Sequence, residues 1–531
     1  MRTLRRWLTA GLTLTLLAAC SPGQSPNGPS PAAPSPAATS AAPAGEVVTV
    51  STVPGLEVDR PRLANPNVTP TGFEDAPAGE GLAGYQRQRL NWRTCGRDYQ
   101  CAAILAPLDY ADPSKQAITL SLAKKAATKS PKLGTLFVNP GGPGASGRNL
   151  VAYFPSTGLE QYDILGWDPR GSNASTRVKC MDGTKADAFN ALDSSPDDAD
   201  EANDLIVETY EFAESCWDNS GDLLEHISTV DTVRDLDLMR ALVGDQKLSY
   251  LGYSYGTQIG SFYADLFPQR TGRLVLDAAV DITDDDSVIQ AMGFDLALNN
   301  FAAWCARQNC RLGSSKGEVL KTTTDFLERL DAAPLTVKDR ELTESLATSG
   351  LANYLYGGIP SWKVMILDLQ AAIDGDGAGL LKAGDAQNDR HRDGSYGSLF
   401  DSFRAISCAD STDDGVVDAE QRWLADQQKA PIFGKYFGPN YTCTLWPVHS
   451  QVQFKPTGSG AAPLLVIGAT GDPATPYQNA VTMAQQLESG VLVTYEGEGH
   501  GTFGGKSKCV DAIVIAYLTN GTVPVDGVKC Q

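Results

Sequence analysis

Short apolar runs alternate with amphipathic stretches over two parts of the chain, and between them that rhythm is lost. Residues 117–123 alternate and read as a strand. Residues 134–139 (GTLFVN), 162–167, 247–252, 273–277 (RLVLD), 463–468 (PLLVIG) and 490–495 are short and largely apolar. Runs of this length separated by helical segments predict a buried parallel sheet, because a strand covered on both faces loses its alternation. Residues 229–242 place Val230, Val233, Leu236, Leu238, Met239 and Leu242 on one helical stripe. Ser228 or Thr229 would cap that helix, with Asp231 in its first turn. A second helix over 477–487 follows Thr475-Pro476, read as an N-cap and a first-turn proline. From 283 to 455 the pattern is helical, with Gly- and Asp-rich breaks at 374–379 and 384–395. That is too long for a loop of one domain. The predicted class is α/β: a mostly parallel central sheet flanked by helices, with a large, mainly helical cap insertion.

The N-terminal residues form a separate object. Arg2, Arg5 and Arg6 precede an apolar stretch, residues 7–19, too short to span a bilayer. It ends in Leu17-Ala18-Ala19-Cys20, small residues before a cysteine, which resembles the lipobox of bacterial lipoproteins. That resemblance implies lipidation of Cys20; the rival is an ordinary signal peptide cleaved nearby. Residues 21–45 are nearly all Ser, Pro, Ala and Gly and read as a spacer. The expected organisation is a lipoprotein signal peptide (1–20), a tether (21–45), the first part of the sheet domain (46–282), the cap (283–455) and the C-terminal part of the sheet domain (456–531). Within the first part, 46–85 reads as an extended lead wrapped on the surface.

Charge and cysteine content narrow the partners. A formal net charge of -20 repels nucleic-acid phosphate, so no nucleic-acid partner is expected. No later segment is long and apolar enough for a membrane helix, so any membrane association is expected through the lipid anchor only. There are 11 cysteines; without Cys20 an even set remains, which in an exported chain suggests disulfides. Connectivity does not follow from sequence, but pairing neighbours gives Cys95–Cys101, Cys180–Cys216, Cys305–Cys310, Cys408–Cys443 and Cys509–Cys530. A zinc site is the weaker rival, since no C-x-x-C pair exists and the histidines are only His226, His391, His449 and His500. No metal or cofactor is expected.

The candidate chemistry centres on Gly252-Tyr253-Ser254-Tyr255-Gly256, between an apolar strand and a helical segment. A G-x-S-x-G turn in that setting lifts a serine hydroxyl above the sheet and aims the next helix at it. Ser254 is the candidate nucleophile, and a serine nucleophile needs a base. His391 lies in a charged loop and His449 in the cap, whereas His500, in Glu498-Gly499-His500-Gly501, follows the last strand. Asp472, after the preceding strand, is the candidate acid, completing the order Ser, acid, His. Thr475 is expected to cap the next helix and hold that turn. An oxyanion hole needs backbone N–H donors. Tyr255 would supply one, and Gly142 the other, with Gly141 as fallback, from the loop Asn139-Pro140-Gly141-Gly142-Pro143-Gly144. That loop is no phosphate cradle, because the G-K-[ST] of a P-loop is missing.

Four features together resemble the tripeptidyl aminopeptidase and proline iminopeptidase branch of the α/β hydrolases: N-P-G-G-P-G at 139–144, W-D-P-R-G at 167–171, G-Y-S-Y-G at 252–256, and A-T-G-D-P-A-T-P at 469–476 with G-H-G at 499–501. The last resembles the C-terminal module of exported tripeptidyl aminopeptidases. The resemblance, over roughly 85–531, implies an α/β-hydrolase fold and a secreted or surface-anchored exopeptidase that releases short peptides, tripeptides foremost, from free N-termini. Relatives carry glycine where this chain has Asn173; asparagine tolerates positive φ, so the turn is expected to survive. Asp168 and Arg170 read as a structural ion pair under the site, and Asp410 as one solvated acid among many. An esterase or lipase with the same triad is the alternative. A surface binding lipoprotein with a dead site is the other, opposed by the complete Ser254, Asp472 and His500 set.

Overall fold

The computed structural model describes residues 72–283, 286–412, 415–449 and 454–531. The expected signal peptide, Cys20, the expected tether and most of the expected lead lie outside these residues. Among the described residues no helix is long and apolar enough to cross a membrane.

Eight strands form the body of one sheet: β1 (Tyr99–Pro107), β2 (Gln116–Lys125), β3 (Gly134–Asn139), β4 (Tyr162–Asp168), β5 (Leu248–Tyr253), β6 (Thr271–Asp277), β7 (Leu464–Gly471) and β8 (Gly490–Glu498). Their spatial order is β1-β2-β4-β3-β5-β6-β7-β8. The run from β4 to β8 is parallel, and β2 is antiparallel to both β1 and β4. Short strands extend the edges: Arg93–Thr94 on β1, Glu74–Asp75 on β2 and Val528–Cys530 on β8. This is the α/β-hydrolase fold. The order turns about β3, so the loops after β3 and β5 diverge and leave a crevice at the strand ends. The sequence pattern missed β1: its run YQCAAILAP is rich in alanine and carries no alternation, and its pairing with β2 along its whole length makes it a strand.

Helices cover both faces, which is why the strands are apolar throughout. On one face α4 (Thr229–Leu242), α5 (Tyr255–Leu266) and α13 (Tyr477–Gln486) share a core with Phe137, Tyr250, Leu274, Leu276, Leu464 and Val466. On the other, α1 (Gly147–Tyr153) and α14 (Lys508–Asn520) meet Leu136, Val138, Leu251, Val275, Leu465 and Ile467. Successive residues of β3, β6 and β7 thus enter opposite cores, the two-residue period of a strand. Ser228 caps α4, its Oγ accepting Asp231 N–H at 3.2 Å.

The insertion between β6 and β7 is helical. It contains α6 (Gln290–Arg307), α7 (Lys316–Ala332), α8 (Glu344–Tyr356), α9 (Ile359–Ile373), α10 (Ala378–Gln387), α11 (Ser398–Asp410) and α12 (Val416–Lys429), with a small hairpin at Leu335–Val337 and Arg340–Leu342. It does not have one core. Phe294, Phe301, Leu327, Leu355 and Trp362 form a core of their own. By contrast Phe400, Ile406 and Trp446 join Phe212 in the sheet domain's cluster. Phe212 belongs to α3 (Ala199–Ser220), which with α2 (Gly183–Ala191) follows β4 in a stretch expected to belong to the sheet domain. Phe189 of α2 stacks on Phe212 at 5.0 Å, and Phe400 of α11 meets Phe212 edge-on at 5.7 Å. Helices from two separate insertions therefore share one aromatic cluster.

Disulfides join Cys95–Cys101, Cys180–Cys216, Cys305–Cys310, Cys408–Cys443 and Cys509–Cys530. Cys180–Cys216 fastens α3 to the chain after β4, and Cys408–Cys443 fastens α11 to the short helix Tyr441–Thr444. Cross-links that span longer loops remove more unfolded-state entropy, and these two are the longest, at 36 and 35 residues.

The expected Asp168–Arg170 pair does not form. With Pro169 between them the two side chains leave the strand end in different directions. Asp168 accepts Ser146 Oγ–H at 2.6 Å and Ala174 N–H at 3.1 Å, and lies 3.8 Å from Arg148. Arg170 is fully buried and grips Asp235 of α4 through two bonds of 2.8 and 2.7 Å. It also donates to the carbonyls of Pro107, Leu108 and His226. Tyr110 OH completes the acceptor set of Asp235. Removing one partner strands a buried charge, at a cost of about 3–5 kcal/mol. Asp235→Ala should destabilise the protein by that amount in urea unfolding; a loss under about 1 kcal/mol would show that the site relaxes or admits water.

Candidate active site

The site is assembled at the C-terminal ends of β3, β5, β6, β7 and β8. Ser254 is the N-cap of α5 and adopts φ 55°, ψ -128°, a conformation a non-glycine residue rarely holds. Three bonds enforce it. Ser254 N–H donates to the backbone carbonyl of Asp277 at 2.9 Å, Thr257 N–H returns to the Ser254 carbonyl at 2.7 Å, and Tyr250 OH donates to the Gly256 carbonyl at 2.7 Å. Gly252 is required by space: a Cβ there would stand 2.4 Å from the Gly256 carbonyl oxygen.

Asp472 and His500 come together. His500 Nδ1 lies 2.8 Å from Asp472 Oδ1 and 3.0 Å from Oδ2, which leaves Nε2 as the ring atom available to a hydroxyl. Asp472 is 1% exposed, and its Oδ1 also accepts the N–H groups of Ala474 and Thr475 at 3.0 and 2.9 Å, so the turn orients the carboxylate. Thr475 does not cap α13. Pro476 occupies that position and offers no side-chain bond, while the Thr475 hydroxyl turns to His500 Nδ1 at 3.4 Å.

The loop after β3 lies directly on the serine turn. Gly141 has φ +94°, and a Cβ there would stand 2.5 Å from Tyr253 O and 2.8 Å from Ser254 Cβ. Its N–H is taken by Asn139 Oδ1 at 2.8 Å. The N–H groups of Gly142 and Tyr255 have no acceptor among the described residues. Between the two glycines, then, Gly142 is the one with a donor to spare. Leu399 and Ser402 of α11 stand over Gly142 and Gly144.

Several contributors were not legible in the sequence. Asn173 takes φ 48°, so its turn survives; its backbone N–H donates to Ser398 Oγ, and its side chain adds one bond, Nδ2 to the Gly144 carbonyl, both at 2.7 Å. Asparagine in place of glycine thus fastens the glycine loop to α11. Tyr356, at the end of α8, accepts His500 N–H on its carbonyl at 2.9 Å and sets its ring edge-on to the imidazole at 5.2 Å. Asp410 is no solvated acid. It accepts Thr229 N–H at 2.9 Å and Thr229 Oγ1–H at 2.5 Å, and Thr229 Oγ1 in turn meets Tyr255 OH. Burial pushes its carboxyl up to about 6. Of the other histidines, His391 is on the surface, bonded to Ser395.

The C-terminal residues 430–530 match the family described as TAP-like protein. The chain is 36% identical to serine protease Hip1 of Mycobacterium tuberculosis over 458 residues, 81% of this chain and 87% of that one. It is 33% identical to carboxylesterase B of the same organism, covering 90% and 95%. It is 29% identical to tripeptidyl aminopeptidase of Streptomyces lividans, covering 84% and 87%.

A methyl group at 141 would push the glycine loop off the serine turn. Gly141→Ala should lower kcat on a short acyl ester about 100-fold or more with unchanged circular dichroism, the scale of a lost oxyanion donor. A rate within about threefold of the parent would show that the loop is not part of the reacting geometry.

Proposed function

The chain belongs to the TAP-like branch of the serine α/β hydrolases, and we propose that it is an exported exopeptidase releasing short peptides, tripeptides foremost, from free N-termini. The observation that carries the reading is the Asp472–His500 pair at the strand ends, together with a positive-φ serine at the end of β5, in a chain whose relatives include a serine protease and a tripeptidyl aminopeptidase. Ser254 Oγ attacks the scissile carbonyl while His500 takes its proton. Asp472, bonded to Nδ1, fixes the tautomer and stabilises the imidazolium. The oxyanion is received by the N–H groups of Gly142 and Tyr255. His500 then protonates the leaving amine, and the peptide's N-terminal part remains as an ester on Ser254. Water, deprotonated by His500, releases that acyl group as a carboxylate and restores the serine.

Five disulfides support an oxidising compartment, and the Cys20 lipobox supports a lipid anchor at the cell surface. Short peptides are the proposed substrates, with no cofactor and no nucleic acid. The 33% identity to a carboxylesterase favours a second reading, ester hydrolysis by the same triad.

The two readings separate on a panel of a free tripeptide chromogen, its N-acetylated form and a short acyl ester. Turnover of the free tripeptide, loss of turnover on acetylation, and a fall of at least about 10⁴-fold in Ser254→Ala are expected. Turnover of the ester alone would end the peptidase reading, and full activity in Ser254→Ala would end the nucleophile assignment.

A further inference from the structure

Asp277 ends β6, between the strand that leads to Ser254 and the one that leads to Asp472. It is fully buried. Its backbone carbonyl takes the N–H of Ser254 at 2.9 Å. Its carboxylate takes the N–H of Thr502 at 3.1 and 3.0 Å and that of Phe503 at 2.7 Å. Thr502 and Phe503 follow His500 by two and three residues. One residue therefore holds the serine turn through its main chain and the histidine loop through its side chain.

We propose that Asp277 is a positioning residue: its buried carboxylate sets the placement of the His500 loop relative to Ser254 and is needed for the reaction itself, beyond the fold. The inference rests on the triad reading above. Other bonds on the loop hold different points. Tyr356 takes the His500 N–H, and Lys506 Nζ donates to the His500 carbonyl at 2.8 Å. Neither reaches the serine turn. Tyr253 OH, from the residue before Ser254, also donates to the Phe503 carbonyl, at 3.2 Å, but among the described residues Asp277 alone takes N–H groups from both the serine turn and the histidine loop. A displacement of about 1 Å in a reacting group can cost about 100-fold in rate, so this tie is a sensitive point.

The charged surroundings agree. His500 and Lys506 face Asp277 from the loop after β8, Asp472 reaches Lys506 from the turn after β7, and Tyr253 faces it from β5, with Asp511 of α14 beyond. Burial pushes the Asp277 carboxyl up to about 6, against the pull of Phe503 and Thr502 N–H. The sign matters. A raised carboxyl favours the folded state when protonated, and that stability is present below the ordinary carboxylate range and lost as pH rises through about 6. The positioning role needs the opposite form, the ionised acceptor, which exists above that pH. Stability and placement thus pull the same carboxyl in opposite directions.

The test is fluorophosphonate labelling and ester turnover by the full mature enzyme between pH 4.5 and 8, with circular dichroism at each pH. Asn at 277 keeps the shape but turns an N–H₂ toward backbone N–H groups. Asp277→Asn should lose about 10- to 100-fold in kcat at pH 8 with KM changed less than about threefold. Below about pH 6 the logarithm of the labelling rate should fall more steeply in the parent than in Asp277→Asn, by about one unit of slope, the extra proton being the one on Asp277. A variant that keeps its kcat and loses only thermal stability would overturn the proposal. Should Asp277→Asn not fold, Asp277→Glu, which keeps the carboxylate but moves it by about one methylene, is measured in its place: a kcat equal to the parent's overturns the proposal, and a loss of about 10-fold or more in kcat with KM held sustains it. Ser254→Ala and His500→Ala run alongside: labelling that survives in them refutes the triad, whereas labelling lost in them and kept in Asp277→Asn refutes only the role of Asp277.

Discussion

The constraint on which the rest of the site depends is the left-handed turn at Ser254. A non-glycine residue at φ 55° costs about 1–3 kcal/mol unless its surroundings over-determine it. Here they do so from three sides: the Asp277 carbonyl below, the Tyr250 hydroxyl on the Gly256 carbonyl, and the Gly141 loop pressed against the Tyr253–Tyr255 backbone. The same turn starts α5, so the free N–H of Tyr255 and the positive end of that helix face the place where an oxyanion would form. Strain, helix dipole and donor geometry follow from one backbone angle, and the glycines at 141 and 252 are what space allows around it.

The insertions reach the site at separate points rather than as one lid. Segment α11 stands over the glycine loop through Leu399 and Ser402 and is tied to it through Ser398 and Asn173. Its far end, Asp410, closes on Thr229 at the start of α4, whose hydroxyl in turn meets Tyr255 OH. The other group, with its own core, reaches His500 through Tyr356. Two differently packed units therefore border the site. One shares aromatics with the sheet domain and is cross-linked by Cys408–Cys443; the other is a helical body joined by Ala474 and the Tyr356–His500 bond.

Buried carboxyls set the electrostatic character of the folded state. Asp277 and Asp410 rise to about 6, Glu344 and Asp401 to about 7, in every case chiefly because burial disfavours the charge. Raised carboxyls favour the folded state in their protonated form, so their contribution is full below the ordinary carboxylate range, falls as pH rises from there, and is gone above about 6 to 7. Self-repulsion in a chain with net charge -20 at neutral pH acts in the same direction.

What the sequence determined by itself is what local chemistry demands. The turn at Ser254 needs G-x-S-x-G, the loop after β3 needs its glycines, strands covered on both faces read as apolar runs, and the few histidines leave His500 as the one beyond a strand end. Those features are short-range, so their residue types carry them. The sequence did not disclose β1, whose alanines become a strand only by pairing with β2, nor the partner of Arg170, nor the division of the cap between two cores. It read Thr475 as a cap and Asp410 as a solvated acid. Asp277 looked like the end of a strand. Its meeting with Thr502 and Phe503, 225 and 226 residues away, was decided by the tertiary structure alone, because only the order of strands in the sheet puts the end of β6 beneath the histidine loop.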